Sequence, residues 1–259
     1  MTAPIRVIYS GGPTILLEFG GMRLLTDPTF DPAGGAYSTP VYTLHKTTGP
    51  ALDPEALGRI DAVLLSHDHH VDNLDRSGRA FLSRASRILT TPAAADRLGS
   101  PAIGLMPWQS VDLRAPDGRI LRVTGTPARH GPADGDRGPV TGFVLAFTNA
   151  PEDAVYVSGD TVWYAGVAEV SRRFSVRVAV LFLGAARVRE VGPAHLTMTA
   201  DEAVLAARTF AGAAILPLHY EGWEHFSETR EQSAAAFRAA GLEHRVRWME
   251  AGQPMTIAL

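Results

Sequence analysis

Apolar and polar positions fall into short blocks along most of the chain. Ile5–Tyr9, Thr14–Glu18 and Met22–Thr26 are β-rich runs separated by the pairs Gly11-Gly12 and Gly20-Gly21, which predicts a β-meander with tight turns. Residues 27–50 carry Pro, Gly, Thr and Tyr without periodicity and predict a long loop, a kind that usually serves function. Ile60–Ser66 is largely apolar and predicts a buried strand. Further strands are expected at Arg87–Thr91, Ile120–Thr126, Gly142–Thr148, Ala154–Ser158, Val176–Leu183, Ala213–Leu218, Val246–Met249 and Met255–Ala258. Helices are expected from Asp75 to Ala85, after Thr91-Pro92, from Thr199 to Phe210 and from Glu228 to Ala240. Pro92 sits near a first helical position, Thr199 with Glu202 makes a capping-box pattern, and Gly241 stops the last helix. Meanders early and strand–helix alternation later predict a mixed α/β fold. No Ser/Gly/Pro linker divides the chain, so one domain is expected over 1–259. In both halves apolar strands run into polar residues at their C-terminal ends, a trend that hints at a duplicated sandwich.

Composition narrows the chemistry. At 259 residues, with 46% hydrophobic and 20% charged residues, the chain can bury a sizeable core and is not disordered. A net charge of -3 offers no basic excess for a phosphate backbone, so a nucleic-acid role is not expected. There are no cysteines, which excludes disulfides, thiolate nucleophiles and Cys-held metals. Lys46 is the only lysine; in a polar loop, without an apolar pocket, it is a poor Schiff-base residue. Residues 1–8 show no apolar h-region or cleavage site, and Val178–Ala186 is too short to cross a bilayer, so the cytoplasm is the expected location.

The candidate chemistry lies in the histidines, of which there are nine. His67, His69 and His70 crowd directly behind a buried strand, and His130, Asp160 and His219 also sit just past strand ends. An i, i+2 pair leaving a strand can aim both imidazoles at one point. Adding His130 to His67 and His69 gives three neutral nitrogen donors, a common set for a catalytic zinc with an open position. Asp160 and Asp72 add oxygen donors, and Asp160 can bridge to a second metal held by Asp72 and His219. His45, His225 and His244 lack supporting context and are read as ordinary histidines.

Ser66-His67-Asp68-His69, Thr126-Pro127 with His130, Ser158-Gly159-Asp160-Thr161 and Pro217-Leu218-His219-Tyr220 together resemble the metallo-β-lactamase-fold hydrolases. Leu25-Thr26-Asp27-Pro28 and His195-Leu196-Thr197-Met198 strengthen the likeness. Within that superfamily the chain is most similar to the branch of ascorbate-6-phosphate lactonase-like and N-acyl-phosphatidylethanolamine phospholipase D-like proteins. The resemblance spans essentially the whole chain. It implies a four-layer αββα sandwich with a metal site at one edge, the first metal on His67, His69 and His130, Asp160 bridging, and His219 at the second.

The chain departs from the family run His-x-His-x-Asp-His. An extra residue precedes Asp72, and Asn73 stands where a histidine is expected, so His70 becomes a competing ligand and the second site is in question. The family's Gly-His near the first turn is also missing.

The reading that results is a metal-dependent hydrolase holding one or two Zn²⁺ ions, with Mn²⁺ or Fe²⁺ as alternatives. Metal-bound hydroxide would attack an ester, lactone, amide or phosphodiester of a small anionic or carbonyl-bearing substrate. Asp68 and His195 are the candidates for proton transfer, with a ligand-orienting carboxylate and a helix-entry residue as their alternatives. Trp163, Tyr164, Tyr220, Trp223 and Phe226 follow the ligand positions and are candidates to line a pocket. The competing readings are a non-catalytic metal-binding protein of the same fold, an iron-dependent redox enzyme, and a nuclease, for which no basic stripe is found.

Overall fold

The computed structural model describes residues 4–259. In chain order the first strands are Ile5–Gly11 (β1), Thr14–Phe19 (β2), Met22–Thr26 (β3), Ala36–Ser38 (β4), Thr43–His45 (β5), Ala62–Leu64 (β6), Ile88–Thr90 (β7) and Ala102–Gly104 (β8). Ser110–Arg114 (β9), Ile120–Pro127 (β10), Thr141–Phe147 (β11), Ala150–Val157 (β12), Val176–Phe182 (β13), Ala214–Leu218 (β14) and Pro254–Ile257 (β15) follow. The helices are Arg76–Phe81 (α1), Pro92–Leu98 (α2), Ala165–Arg173 (α3), Ala200–Thr209 (α4) and Arg230–Ala239 (α5).

The strands form two large sheets, ordered β15-β1-β2-β3-β6-β7-β8 and β14-β13-β12-β11-β10-β9, with β4 and β5 as a separate hairpin. Period-2 alternation sorts each strand's side chains between the two faces of its sheet. Along β13, Val178, Val180 and Phe182 enter the core between the sheets, while Ala179 and Leu181 face the helical layer. Val167 of α3, Ala203 and Ala207 of α4 and Phe237 of α5 pack on that outer face. On the other sheet, Val63, Leu65 and Ile88 pack against Phe81 of α1 and its neighbour Leu82. The result is the expected four-layer αββα sandwich. Each fully buried Leu, Val or Phe contributes about 1.5–3 kcal/mol of apolar burial, so the inter-sheet layer dominates the stability.

The helix starts follow the sequence signals. Thr91 caps α2 through Ala94 N with Pro92 in the first turn, and Thr199–Glu202 and Thr229–Gln232 both form capping boxes. Four features depart from expectation, the first being helix α3, Ala165–Arg173, which is additional to the expected helices. Residues 27–50 are not wholly irregular, because they contain the β4–β5 hairpin. The short edge strands β8 and β9 are additional to those expected, although β9 alternates polar and apolar residues along Ser110–Arg114. Val246–Met249 is not a strand; it follows the 3₁₀ turn Glu243–Arg245 and makes one isolated bridge, Val246 to Ile215. Among the described residues no helix is long and apolar enough to cross a membrane.

β12, β13 and β14 are mutually parallel, and β10 shares their direction through the intervening antiparallel β11. Their C-terminal ends therefore meet at one edge of the sandwich. The loop after β6 joins them from the opposite sheet, since Thr141 N donates to Ser66 O at 3.1 Å. Gly159 makes this approach possible. Its φ is +60°, and a Cβ there would meet Thr141 O at 2.7 Å and Ser66 Cβ at 2.8 Å.

Candidate metal centre

Each strand end delivers one buried donor to this edge. His67 follows β6, His130 follows β10, Asp160 follows β12 and His219 follows β14, and all four are almost wholly buried. His130 Nδ1 lies 2.9 Å from Leu196 O and His67 Nδ1 2.9 Å from Ser66 Oγ. The Leu196 carbonyl can only accept, which fixes the His130 tautomer and leaves Nε2 free to face inward. Ser66 is itself held by Asp27, whose Oδ1 accepts from Ser66 N at 2.8 Å and Ser66 Oγ at 2.7 Å. Burial pushes the Asp27 carboxyl well above the usual carboxylate range despite these bonds.

His70 completes the nitrogen cluster. Its Nδ1 lies 3.0 Å from Nε2 of both His67 and His130. Two nitrogens on a tetrahedral zinc stand about 3.3 Å apart for bonds of about 2.05 Å, so this spacing is a few tenths of an ångström short of a loaded set. His69, the expected partner of His67, has a ring nitrogen within 4.8 Å of the donors of His67 and His70. Its Nε2 lies 2.8 Å from Arg137 O, which can only accept and so leaves the Nδ1 lone pair free, but the residue is exposed. The backbone turns immediately here, with Leu74 N donating to His70 O at 3.1 Å, and this turn carries His70 inward. Burial and the neighbouring imidazoles hold His67 well below the usual histidine range and His70 down to about 3. Both are therefore neutral and have lone pairs to offer.

Asp72, Asp160 and His219 form the adjoining group, with donor atoms within 4.8 Å of one another. His219 Nε2 stands 3.5 Å from Asp160 Oδ1 and 3.6 Å from Asp72 Oδ2. Asp160 Oδ2 is 3.6 Å from His130 Nε2, so this carboxylate lies between the two groups. Burial works to raise both carboxyls, but the imidazoles around them win and hold both below the ordinary range. Burial alone would lower His219, yet Asp160 and Asp72 raise it to about 10. The pair of carboxylates thus demands a positive charge at this spot, and His219 supplies it as a proton. His219 is also held at φ +54°, an uncommon conformation for a non-glycine residue, with its N–H donating to Gly12 O at 3.0 Å.

The donor set fits a divalent cation. His219 Nε2 and Asp160 Oδ2 are buried without a hydrogen-bond partner. Such orphans are rare in proteins and call for an explanation. Neutral imidazoles and ionised carboxylates are the forms that bind metals, so a cation here would take the place of the proton on His219.

Of the remaining candidates Phe226 stays at the centre, its ring centre 4.9 Å from that of His219, while others go elsewhere. Asp68 turns away from the cluster and grips Arg97, whose Nε lies 3.1 and 3.2 Å from its two oxygens, with Arg79 Nη2 at 3.8 Å. His195 Nε2 lies 3.1 Å from Glu202 Oε2 at the entry to α4, its helix-entry alternative; the motif reaches the centre only through the Leu196 carbonyl. Neither Asp68 nor His195 is brought to the metal donors. Of the aromatics, Tyr220 and Trp223 are buried in side-chain packing clusters. Lys46 is not in an open polar loop. It is buried, with Nζ 2.7 Å from Asp75 Oδ2 and 5.6 Å from the Trp223 ring centre.

Two residues outside the expected set lie at the centre. His70 was only a competing ligand, and His225 was an ordinary histidine in the sequence, yet His225 Nε2 lies 3.0 Å from Asp72 Oδ2. The only signal in the chain is its place six residues after His219, between Trp223 and Phe226. The centre opens into a narrow cavity of about 30 Å³ walled by Tyr42, Leu44, Val188, Val191 and Leu196, with Arg137 at its side. Beyond Tyr42 and His70 a cleft of about 270 Å³ carries Arg76 and Arg79.

Comparison with known proteins agrees with this architecture. The chain is 26% identical over 245 residues to a UPF0173 metal-dependent hydrolase of Pyrobaculum aerophilum, covering 91% of this chain and 92% of the relative. An isothiocyanate hydrolase from Delia radicum gut bacteria superposes with a TM-score of 0.82 at 22% identity, covering 96% of this chain and 98% of that one. Igni18, a metallo hydrolase from Ignicoccus hospitalis, superposes with a TM-score of 0.72 at 23% identity, covering 99% of each chain. Residues 22–220 match the family model described as the beta-lactamase superfamily domain, and the chain belongs to that family.

Proposed function

We propose that this protein is a metal-dependent hydrolase acting on an ester, lactone, amide or phosphodiester bond of a small substrate. The observation that carries the reading is the convergence of His67, His70 and His130 with Asp72, Asp160 and His219 at one buried sheet edge. His67, His70, His130 and Asp160 would hold one divalent cation, zinc by its donor chemistry, and Asp160, Asp72 and His219 a second. When bound, such a cation supplies a nucleophile from water near neutral pH and positive charge for a developing oxyanion.

The chain's own residues do the rest. Leu196 O and the Asp27–Ser66 pair orient the His130 and His67 rings. Tyr42, Leu44, Val188 and Leu196 wall the cavity and restrict water. Arg76, Arg79 and Arg137 face the approach with positive charge, which favours an anionic or polarised carbonyl substrate. The motif order supports a place near the lactonase-like and phospholipase D-like branch. The relatives' names add weight to hydrolysis as the reaction type.

The test is a panel of esters, lactones, amides and phosphodiesters assayed before and after chelation. Turnover that disappears with the metal and returns on zinc, manganese or iron addition is expected. Full turnover by metal-stripped protein would refute the reading. Metal content without turnover across the panel would favour a non-catalytic metal-binding role.

A further inference from the structure

We infer that His225 is a ligand of the second metal position, taking the part left open by Asn73, and that Asn73 instead positions Asp160. This rests on the metal-centre reading above and extends it to a residue from a different loop.

Four observations carry it. His225 Nε2 approaches Asp72 Oδ2 to 3.0 Å, closer than His219 Nε2 does at 3.6 Å. The His225 ring is buried, with a side-chain exposure of 8%. Its Nδ1 has no hydrogen-bond partner, so the ring is held only through Nε2, on the Asp72 side. The backbone is pinned on both sides of the ring. Thr47 N donates to Gly222 O at 2.8 Å, Glu224 N to His45 O at 3.1 Å, and Arg187 N to His225 O at 2.8 Å. A histidine that only decorated a surface loop would not be held so tightly against a buried carboxylate.

Asn73 is occupied differently. Its Nδ2 donates to Asp160 Oδ1 at 3.1 Å. The reversed amide would set two oxygens against each other, so this bond fixes the amide orientation. The N–H therefore orients the shared carboxylate. The donor set at the second position becomes Asp72, Asp160, His219 and His225, two oxygens and two nitrogens.

The experiment loads the full chain with zinc, and separately with Co(II). Metal per chain is measured by mass spectrometry, and Co(II) d–d absorption reports the ligand field. Wild type is expected to hold two equivalents. His225→Ala and His219→Ala should each fall to one, or bind the second at least about tenfold more weakly, with a changed Co(II) band. His67→Ala should lose the other equivalent. Asn73→Ala should keep two equivalents and the wild-type band positions but bind them about tenfold more weakly, since Asp160 loses the bond that orients it; unchanged affinity would overturn the positioning role. His225→Asn, with circular dichroism as a check on folding, guards against a general collapse of the Ala variant. Two equivalents with unaltered affinity and spectrum in both His225 variants would overturn the inference while leaving the metal-centre reading intact. Weaker binding with an unchanged Co(II) band would also overturn it, making His225 a positioning residue. Wild type that takes up no metal would overturn both readings.

Discussion

Replacing Lys46 with methionine removes one charge from a buried pair while keeping most of the side-chain volume. The pair is tight: Nζ to Asp75 Oδ2 is 2.7 Å, with side-chain exposures of 4% and 0%. Asp75 is a hub. Its Oδ1 accepts from Phe30 N at 2.9 Å and Gly78 N at 2.8 Å, and its Oδ2 accepts from Asp31 N at 2.7 Å. Breaking a buried ion pair by removing one partner costs about 3–5 kcal/mol, because the other charge stays behind unpaired. Three backbone N–H donors remain on Asp75, so the lower end applies, about 3 kcal/mol. For a domain of this size that is a drop of about 6–12 °C in Tm. Urea or thermal denaturation followed by far-ultraviolet circular dichroism measures it. The exposed pair Arg84–Glu55 is the internal control, since Arg84→Ala should cost under about 1 kcal/mol. A Lys46→Met loss no larger than that of Arg84→Ala would refute the reasoning.

Other expectations follow from the same structure. Gly159→Ala should destabilise the fold by more than the about 1–2 kcal/mol that a left-handed non-glycine residue costs, because the added Cβ also meets Thr141 O and Ser66 Cβ; denaturant titration giving a smaller loss would contradict this. Phe182→Ala, in the fully buried layer between the sheets, should cost about 3–5 kcal/mol by the same titration. His195 is raised above the usual histidine range by its bond to Glu202, so its stabilisation is complete below about pH 6.5 and fades as pH rises through the higher folded value. The Tm gap between wild type and His195→Gln should therefore be wider at low pH and close at high pH; a gap that widened with pH would reverse the assignment. Chelation should lower Tm while leaving the β-sheet circular dichroism signal, since the sandwich core does not depend on the centre; loss of that signal at room temperature would show otherwise.

Much of this was readable from the chain because the strands alternate cleanly and end abruptly. Val63-Leu64-Leu65 before His67 and Ala214–Leu218 before His219 announce both a buried strand and the residue it delivers. His67, His130, Asp72, Asp160 and His219, expected together, are brought together. The turn of His70 toward His67 and His130 was not legible, because it depends on the turn that carries residues 70–74. His225 was hidden for another reason. Its partner Asp72 lies far along the chain, and no local pattern encodes that distance. Asp68 looked like site chemistry until Arg97 of α2 appeared within reach of it, a contact between separate elements that spacing does not reveal.

Every donor at the centre is an imidazole or a carboxylate, and the chain has no sulfur nucleophile to protect. Thiol-specific reagents and disulfide-forming oxidants thus find no thiol at this edge to modify. Sensitivity to peroxide becomes a diagnostic for the resident ion. A zinc-loaded enzyme should endure it, whereas a ferrous one should lose activity as its iron is oxidised.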